Sequence, residues 1–242
     1  MSSTKKTAGI IIIGDEILSG RVKDQNSPFL IKELSIQGVH VKYCLTIPDD
    51  LSIIADAVGS YSPKVTWLFT AGGVGPTHDD ITIEGIGKAF DTPIITSPEL
   101  EKMIRKTYGD RFRSEHLKMA QIPDGTKLVG VRNPRFPIAC FRNVYILPGV
   151  PEFLQTLFLS IKDLFQGEKV PFREIHLVTE EGVVASTLRL AIARYPGAKI
   201  GSYPCFKERD CIVKLVVEHE NQTELDNILA FLEDNIGRFI QK

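Results

Sequence analysis

No apolar run in this sequence approaches the roughly 20 residues that a membrane-spanning helix requires. The longest run near the start, Ala8 to Ile13, ends in Gly14-Asp15-Glu16 and has the length of a buried strand. Lys5 and Lys6 precede it, but no small-residue cleavage site follows, which argues against a secretory signal. An excess of one charge is missing too: 29 Lys and Arg face 30 Asp and Glu, a formal net charge of −1. That balance excludes the broad electrostatic footprint of a nucleic-acid or membrane-surface binder and leaves a small molecule as the expected partner. Cysteine is scarce, and Cys44, Cys140, Cys205 and Cys211 stand at no disulfide-framework or zinc spacing. They read as buried or free thiols, which suits a cytoplasmic protein. Neither an internal repeat nor a low-complexity tract is found.

What is present is an ordinary globular composition, 43% hydrophobic and 24% charged over 242 residues, enough for one main domain and a smaller one. Strand and helix patterns alternate through the first two thirds. Thr7–Ile13 is apolar and β-branched, and Asp24–Gln37 then places Phe29, Leu30 and Leu34 at helical spacing before Gly38. Val39–Ile47 reads as a strand and Leu51–Val58 as a helix capped by Asp49 or Asp50. Val65–Thr70 is the third strand, Ile81–Phe90 and Pro98–Tyr108 are helices, and strand Val144–Leu147 leads into helix Glu152–Phe165. The stretch Gly109–Arg142, punctuated by Pro123, Pro134 and Pro137, gives no firm order of elements. Such alternation implies a mostly parallel sheet covered by helices on both faces.

After the polar connection Gln166–Pro171 the pattern changes. Strand Phe172–Thr179, helix Val183–Tyr195, strands Lys199–Tyr203 and Ile212–Val217, and helix Glu224–Phe239 form a βαββα series. The close pair of strands predicts antiparallel pairing and an α+β domain. The expected boundaries are therefore 1–167 and 168–242.

In an open parallel sheet, ligands bind at the carboxyl ends of the strands, so the residues after each strand carry the functional information. Here they are Gly14-Asp15-Glu16, Pro48-Asp49-Asp50, Ala71-Gly72-Gly73-Val74-Gly75-Pro76-Thr77-His78-Asp79-Asp80, and Pro148-Gly149-Val150-Pro151. Gly72, Gly73 and Gly75 permit a tight turn whose backbone amides, with the following helix N-terminus, can cradle phosphate oxygens. The same spacing also suits a plain strand-to-helix turn, and it matches neither a Walker loop nor GxGxxG. Asp79 and Asp80 beside such a cradle would repel phosphate unless a divalent cation such as Mg²⁺, Mn²⁺ or Co²⁺ stood between them. Helix capping by Asp80, or by Asp15, Glu16, Asp49 and Asp50, is the competing reading. Thr77 and Thr82 either bond phosphate or cap the helix, and His78 is best read as a loop histidine.

These residues resemble a known family. The stretch Gly72-Gly73-Val74-Gly75-Pro76-Thr77-His78-Asp79-Asp80-Ile81-Thr82, with Gly14-Asp15-Glu16-Ile17-Leu18 and Leu147-Pro148-Gly149-Val150-Pro151-Glu152, is similar to the molybdopterin-binding (MoaB/Mog, CinA-like) domain family. The nearest resemblance is to the N-terminal molybdopterin-binding-like region of animal FAD synthases, which Asp24-Gln25-Asn26, Arg135-Phe136-Pro137, Arg142-Asn143-Val144-Tyr145 and Gly201-Ser202-Tyr203-Pro204 also match. The resemblance implies a three-layer α/β/α sandwich, with Gly72, Gly73, Gly75, Asp80 and Thr82 on the pterin-phosphate or nucleotide motif and Asp49 on a second acidic position.

The activity it implies is divalent-metal-dependent hydrolysis of FAD to FMN and AMP, with molybdopterin adenylylation or a non-catalytic nucleotide-binding module as alternatives. On that reading Asp80 and Asp49 are catalytic, and Asp15, Asp79 and Asp80 hold the metal. Gly72, Gly73, Val74, Gly75, Thr77, Thr82, Pro148 and Gly149 bind substrate, a dinucleotide or a pterin phosphate. The adenylyltransferase domain of animal FAD synthases and the amidohydrolase domain of CinA-type proteins have no counterpart before Lys242, so FAD synthesis by this chain alone is not expected. Members of the family often self-associate, which makes a homo-oligomer an expectation of the resemblance. On the smaller domain Tyr203, Lys207 and Arg209 either meet an anionic ligand or form a solvated hairpin loop.

Overall fold

The computed structural model describes residues 5–130, 136–205 and 211–241, which fall into two compact units, Met1–Lys169 and Val170–Lys242. The first unit is built on a six-stranded sheet. Its strands are β1 (Thr7–Ile13), β2 (His40–Ile47), β3 (Trp67–Ala71), β6 (Lys127–Val129), β7 (Ile138–Phe141) and β8 (Val144–Leu147), in the order β2-β1-β3-β8-β7-β6. β1 pairs in parallel with β2 and β3, and β3 in parallel with β8, whereas β7 is antiparallel to both β8 and β6. The sheet is mostly parallel, and β2, β1, β3 and β8 end on one edge.

The isoleucine run of β1 shows why this sheet needs two covers. Side chains alternate across a strand, so Ile10 and Ile12 enter one core and Ile11 and Ile13 the other, and all four are buried. The first core is closed by Leu30 and Leu34 of α2 (Asn26–Ile36) and by Leu154 and Phe158 of α6 (Pro151–Ile161). Phe69 of β3 contacts Phe158 and Phe165 there, with ring centroids 5.7 and 4.9 Å apart at edge-on angles that favour aromatic pairs. The second core is closed by Ile54 and Val58 of α3 (Leu51–Tyr61) and by Ile83 and Ile86 of α4 (Thr82–Ala89). This is the expected three-layer arrangement. A further short helix, α1 (Asp15–Leu18), follows β1.

The stretch that gave no order contains two short 3₁₀ segments, Gly109–Arg111 and Ser114–Ala120, and the strands β5 (Gln121–Pro123), β6 and β7. β5 pairs antiparallel with β4 (Ile94–Thr96), a strand absent from the sequence expectation. Together with α5 (Pro98–Tyr108) they enclose a small core of Leu100, Ile104, Ala120 and Ile122. Pro134 and Arg135, named above, lie outside the described residues.

The second unit has the predicted series: β9 (Phe172–Leu177), α7 (Glu181–Arg194), β10 (Lys199–Pro204), β11 (Val213–Glu218) and α8 (Gln222–Ile236). All pairing is antiparallel, in the order β10-β11-β9. Val213, Leu215 and Val217 alternate inward to meet Leu225, Ile228 and Leu232 of α8. Tyr203 is exposed, and Lys207 and Arg209 lie outside the described residues. Among the described residues no helix is long and apolar enough to cross a membrane.

Candidate functional site

The four polar turns meet at the carboxyl edge of the parallel strands, and backbone contacts hold them there. The Gly14 amide donates to Ile47 O at 3.1 Å, and the Gly72 amide donates to Leu147 O at 3.2 Å. Gly72 has φ +110°, and a Cβ on it would stand 2.1 Å from Ile13 O; one on Gly149 would stand 3.2 Å from the Gly72 Cα. The turns after β1, β3 and β8 are therefore in close contact, and only glycine fits at the centre. The turn after β2 joins through Asp49, whose Oδ2 accepts the Asp15 amide at 2.9 Å. The Oδ1 of Asp49 lies 3.5 Å from where a Cβ of Gly73 would be.

Two adjacent aspartates take different tasks. Asp50 caps α3, its Oδ1 accepting the amides of Ser52 and Ile53 at 2.9 and 3.0 Å. Hydrogen bonds from Ser52 and Ile53 hold its carboxyl below the ordinary value. Asp49 is released from capping and faces the site. Burial pushes its carboxyl above the ordinary value, the bond from the Asp15 amide pulls the other way, and the charges of Glu16, Asp15 and Asp79 add to the rise.

Asp80 does not cap its helix, contrary to one of the two readings offered above: α4 begins after Ile81 with no side-chain cap. Instead Asp80 Oδ2 accepts the Thr77 amide at 2.8 Å and also the Thr77 hydroxyl, so it clasps the glycine loop closed. A Cβ on Gly75 would meet that same Oδ2 at 2.7 Å. Thr82 likewise supports the loop. It is fully buried, its hydroxyl donates to Gly72 O at 2.8 Å, and its amide donates to Gly73 O at 3.0 Å. Thr77, His78 and Asp79 are exposed, and hydrogen bonding by Thr77 holds the Asp79 carboxyl below its ordinary value. Val74, Pro148 and Gly149 border the same edge.

Among the described residues, no three His, Cys, Asp or Glu side chains form a group that could hold a metal ion by themselves. Asp15, Glu16 and Asp79 stand near enough to Asp49 for their charges to add to the rise that burial begins, so a hard cation there would be held by no more than a pair of these carboxylates. Such an ion would complete its shell with phosphate oxygens and water, as Mg²⁺ commonly does.

Two contributors escaped sequence reasoning. Lys118 donates to Thr77 O at 2.8 Å and lies 3.8 Å from Glu84, tying the glycine loop to the 3₁₀ segment. It comes from the stretch without readable periodicity, so no local signal marked it. Asn26, noted above only within a matching stretch, is 6% exposed and donates its Nδ2 to Gly149 O at 2.7 Å. Its buried Oδ1 has no hydrogen-bond partner, an arrangement that native interiors seldom keep without a use. Asn26→Ala leaves the Gly149 carbonyl unpaired and should lower stability by about 1–3 kcal/mol in denaturant titration.

Fold and site together define an open, doubly covered α/β protein with a glycine-lined, acid-rimmed crevice at the topological edge where such sheets bind ligands. Comparison with known proteins narrows this. Residues 9–166 match the family model described as "Probable molybdopterin binding domain", and residues 169–241 match "FAD synthase, middle domain". The chain belongs to the molybdopterin-binding domain family, and its second unit matches the FAD synthase middle domain. It is 34% identical over 265 residues to a probable FAD synthase of Caenorhabditis briggsae, covering 98% of this chain and 51% of that protein. It is 34% identical to a CinA-like protein of Thermotoga neapolitana, covering 97% of this chain and 60% of the relative. Among solved structures, a CinA protein of Thermoplasma acidophilum superposes with a TM-score of 0.61 at 31% identity, over 66% of this chain and 99% of that one. The chain spans about half the length of the worm FAD synthases it matches.

Proposed function

We propose that this chain is a divalent-metal-dependent FAD pyrophosphatase that cleaves FAD to FMN and AMP. The observation that carries the reading is the meeting of a glycine loop, which no side chain can fill at Gly72, with the Asp49 carboxylate, whose Oδ1 lies 3.5 Å from where a Cβ of Gly73 would be. The match to FAD synthases supports FAD as the substrate. Backbone amides of Gly73, Val74 and Gly75 hold the diphosphate and stabilise the charge that develops at phosphorus. Asp80, expected as a catalytic and metal-holding residue, is given the clasp on Thr77 instead, and with Thr82 and Lys118 it positions that loop. Asp49 takes the proton of the attacking water, a task its raised proton affinity suits. Asp15 and Asp79 would hold a divalent cation, which would supply charge neutralisation at the diphosphate and a more acidic water.

Incubating the purified chain with FAD and Mg²⁺, Mn²⁺ or Co²⁺ should yield FMN and AMP in equal amounts over many turnovers, separated by chromatography. Absence of both products with all three metals overturns the reading. The match to the molybdopterin-binding domain model favours one second reading, adenylyl transfer from ATP to a pterin phosphate in the same crevice. Adenylylated pterin, formed with the pterin phosphate and ATP supplied, would establish it instead.

A further inference from the structure

Beside the glycine loop the first unit opens a cleft of about 680 Å³, within the range of small-molecule sites. Val74 of the loop and Pro148 of the turn after β8 line it, so the cleft continues directly from the crevice that would hold the diphosphate. The rest of its wall comes from α4, α5, the 3₁₀ segments, β5, β7 and the two residues before it, β8 and α6. Most of that lining is apolar, with Tyr108, Phe136 and Phe153 as its rings. A small polar set accompanies them: Arg111, Gln121 and Glu152 among the larger groups. Phe153 is 58% exposed, so its ring is not part of the folded core and stands open to an occupant of the cleft.

From this lining we infer that the cleft is the subsite for the isoalloxazine ring of FAD, an inference that rests on the FAD reading above. The chemistry of the ring decides the assignment. Isoalloxazine joins a dimethylbenzene portion, which gains from apolar burial, to a dione portion whose carbonyls accept hydrogen bonds and whose N–H donates one. Arg111 and Gln121 can donate to such carbonyls, and Glu152 can accept the N–H. Adenine has no carbonyl for an arginine and no hydrocarbon portion for Met119, Leu157 or Phe136 to cover. A pterin has the carbonyl but is polar around its rim, so it leaves most of the apolar wall without a partner. The flavin half of the dinucleotide therefore lies in the cleft, its phosphate at the glycine loop.

The test uses FMN and AMP, each binding the intact chain without turnover. Titration of FMN by flavin fluorescence should show saturable binding, and Phe153→Ala should weaken it about tenfold by removing an aromatic face. Thr156→Trp, on the exposed side of α6, should weaken it by filling the cleft. Melting curves of both variants should match the parent, and AMP affinity measured by calorimetry should stay within about twofold. FMN affinity indifferent to both variants overturns the assignment, as does AMP affinity that falls while FMN affinity holds. FAD hydrolysis is scored separately. FMN held in the cleft without hydrolysis keeps the subsite and removes the pyrophosphatase reading, whereas hydrolysis with FMN indifferent to the variants does the reverse.

Discussion

Gly72→Ala is expected to destabilise the first unit by about 2–6 kcal/mol, lowering its thermal midpoint by on the order of 10 °C. Two penalties combine. The φ of +110° is a conformation that residues bearing a Cβ rarely adopt, which costs about 1–3 kcal/mol. The added methyl would also stand 2.1 Å from Ile13 O, the last carbonyl of the central strand β1. That strand is buried on both faces and paired with β2 and β3, so it cannot withdraw. Relief has to come from the glycine loop, which would then break the bond from the Gly72 amide to Leu147 O and the bond from the Thr82 hydroxyl to Gly72 O. Gly75→Ala differs in kind, because its methyl meets only the carboxylate of Asp80, a side chain that can swing aside. Its stability loss should be the smaller of the two, although the clasp on Thr77 opens. Gly182 in α7 is the control: nothing lies within 4 Å of its added Cβ, and alanine there should leave the midpoint unchanged or slightly raised. A melting series across the three variants checks the order, and equal midpoints for the Gly72 and Gly182 variants would contradict it.

The same contrast explains what was legible in the sequence. Period and punctuation are local properties, so α5 and β8 have the predicted bounds, and the isoleucine run of β1 announced burial on both faces. The meeting of the four turns was legible too, because parallel strands deliver their carboxyl ends to one edge wherever the loops are placed. What stayed hidden depends on long-range pairing. β4 and β5 are three-residue strands that exist through each other, and neither carries a period of its own. Lys118 and part of the cleft lining, including Arg111, Gln121 and Phe136, arise from that unreadable stretch. Asp80 shows a different limit: a carboxylate just before a helix fits a cap by position, yet its partner lies three residues back at Thr77. Asp49 and Asp50 are equivalent by capping position, and only the family resemblance set Asp49 apart; the chain's path gives the cap to Asp50 and turns Asp49 to the crevice.

That division makes Asp49→Asn the sharpest test of the chemistry. The amide keeps the carbonyl oxygen that accepts the Asp15 amide, so the turn should hold its shape, but the side chain no longer takes a proton. FAD hydrolysis should fall about 10²–10⁴-fold, the usual contribution of a general base. Asp50→Asn should stay within a fewfold of the parent, since asparagine caps a helix as well as aspartate does. Stability should move in the opposite direction to activity. The Asp49 carboxyl is raised above its ordinary 3.8, so the folded state holds the proton more tightly than the unfolded chain. Ionisation therefore weakens the fold as pH rises from that ordinary value through the raised one, and the penalty is fully present at neutral pH. In metal-free buffer at pH 7 the Asp49→Asn chain should melt slightly above the parent, the advantage being small because the site is partly exposed. The advantage should disappear below about pH 4, where aspartic acid is as neutral as the amide. A variant that is both inactive and less stable at pH 7 would mean that Asp49 serves the fold rather than the reaction. Inactivity with a raised melting point is the signature of a carboxylate held against burial and repulsion for its chemistry.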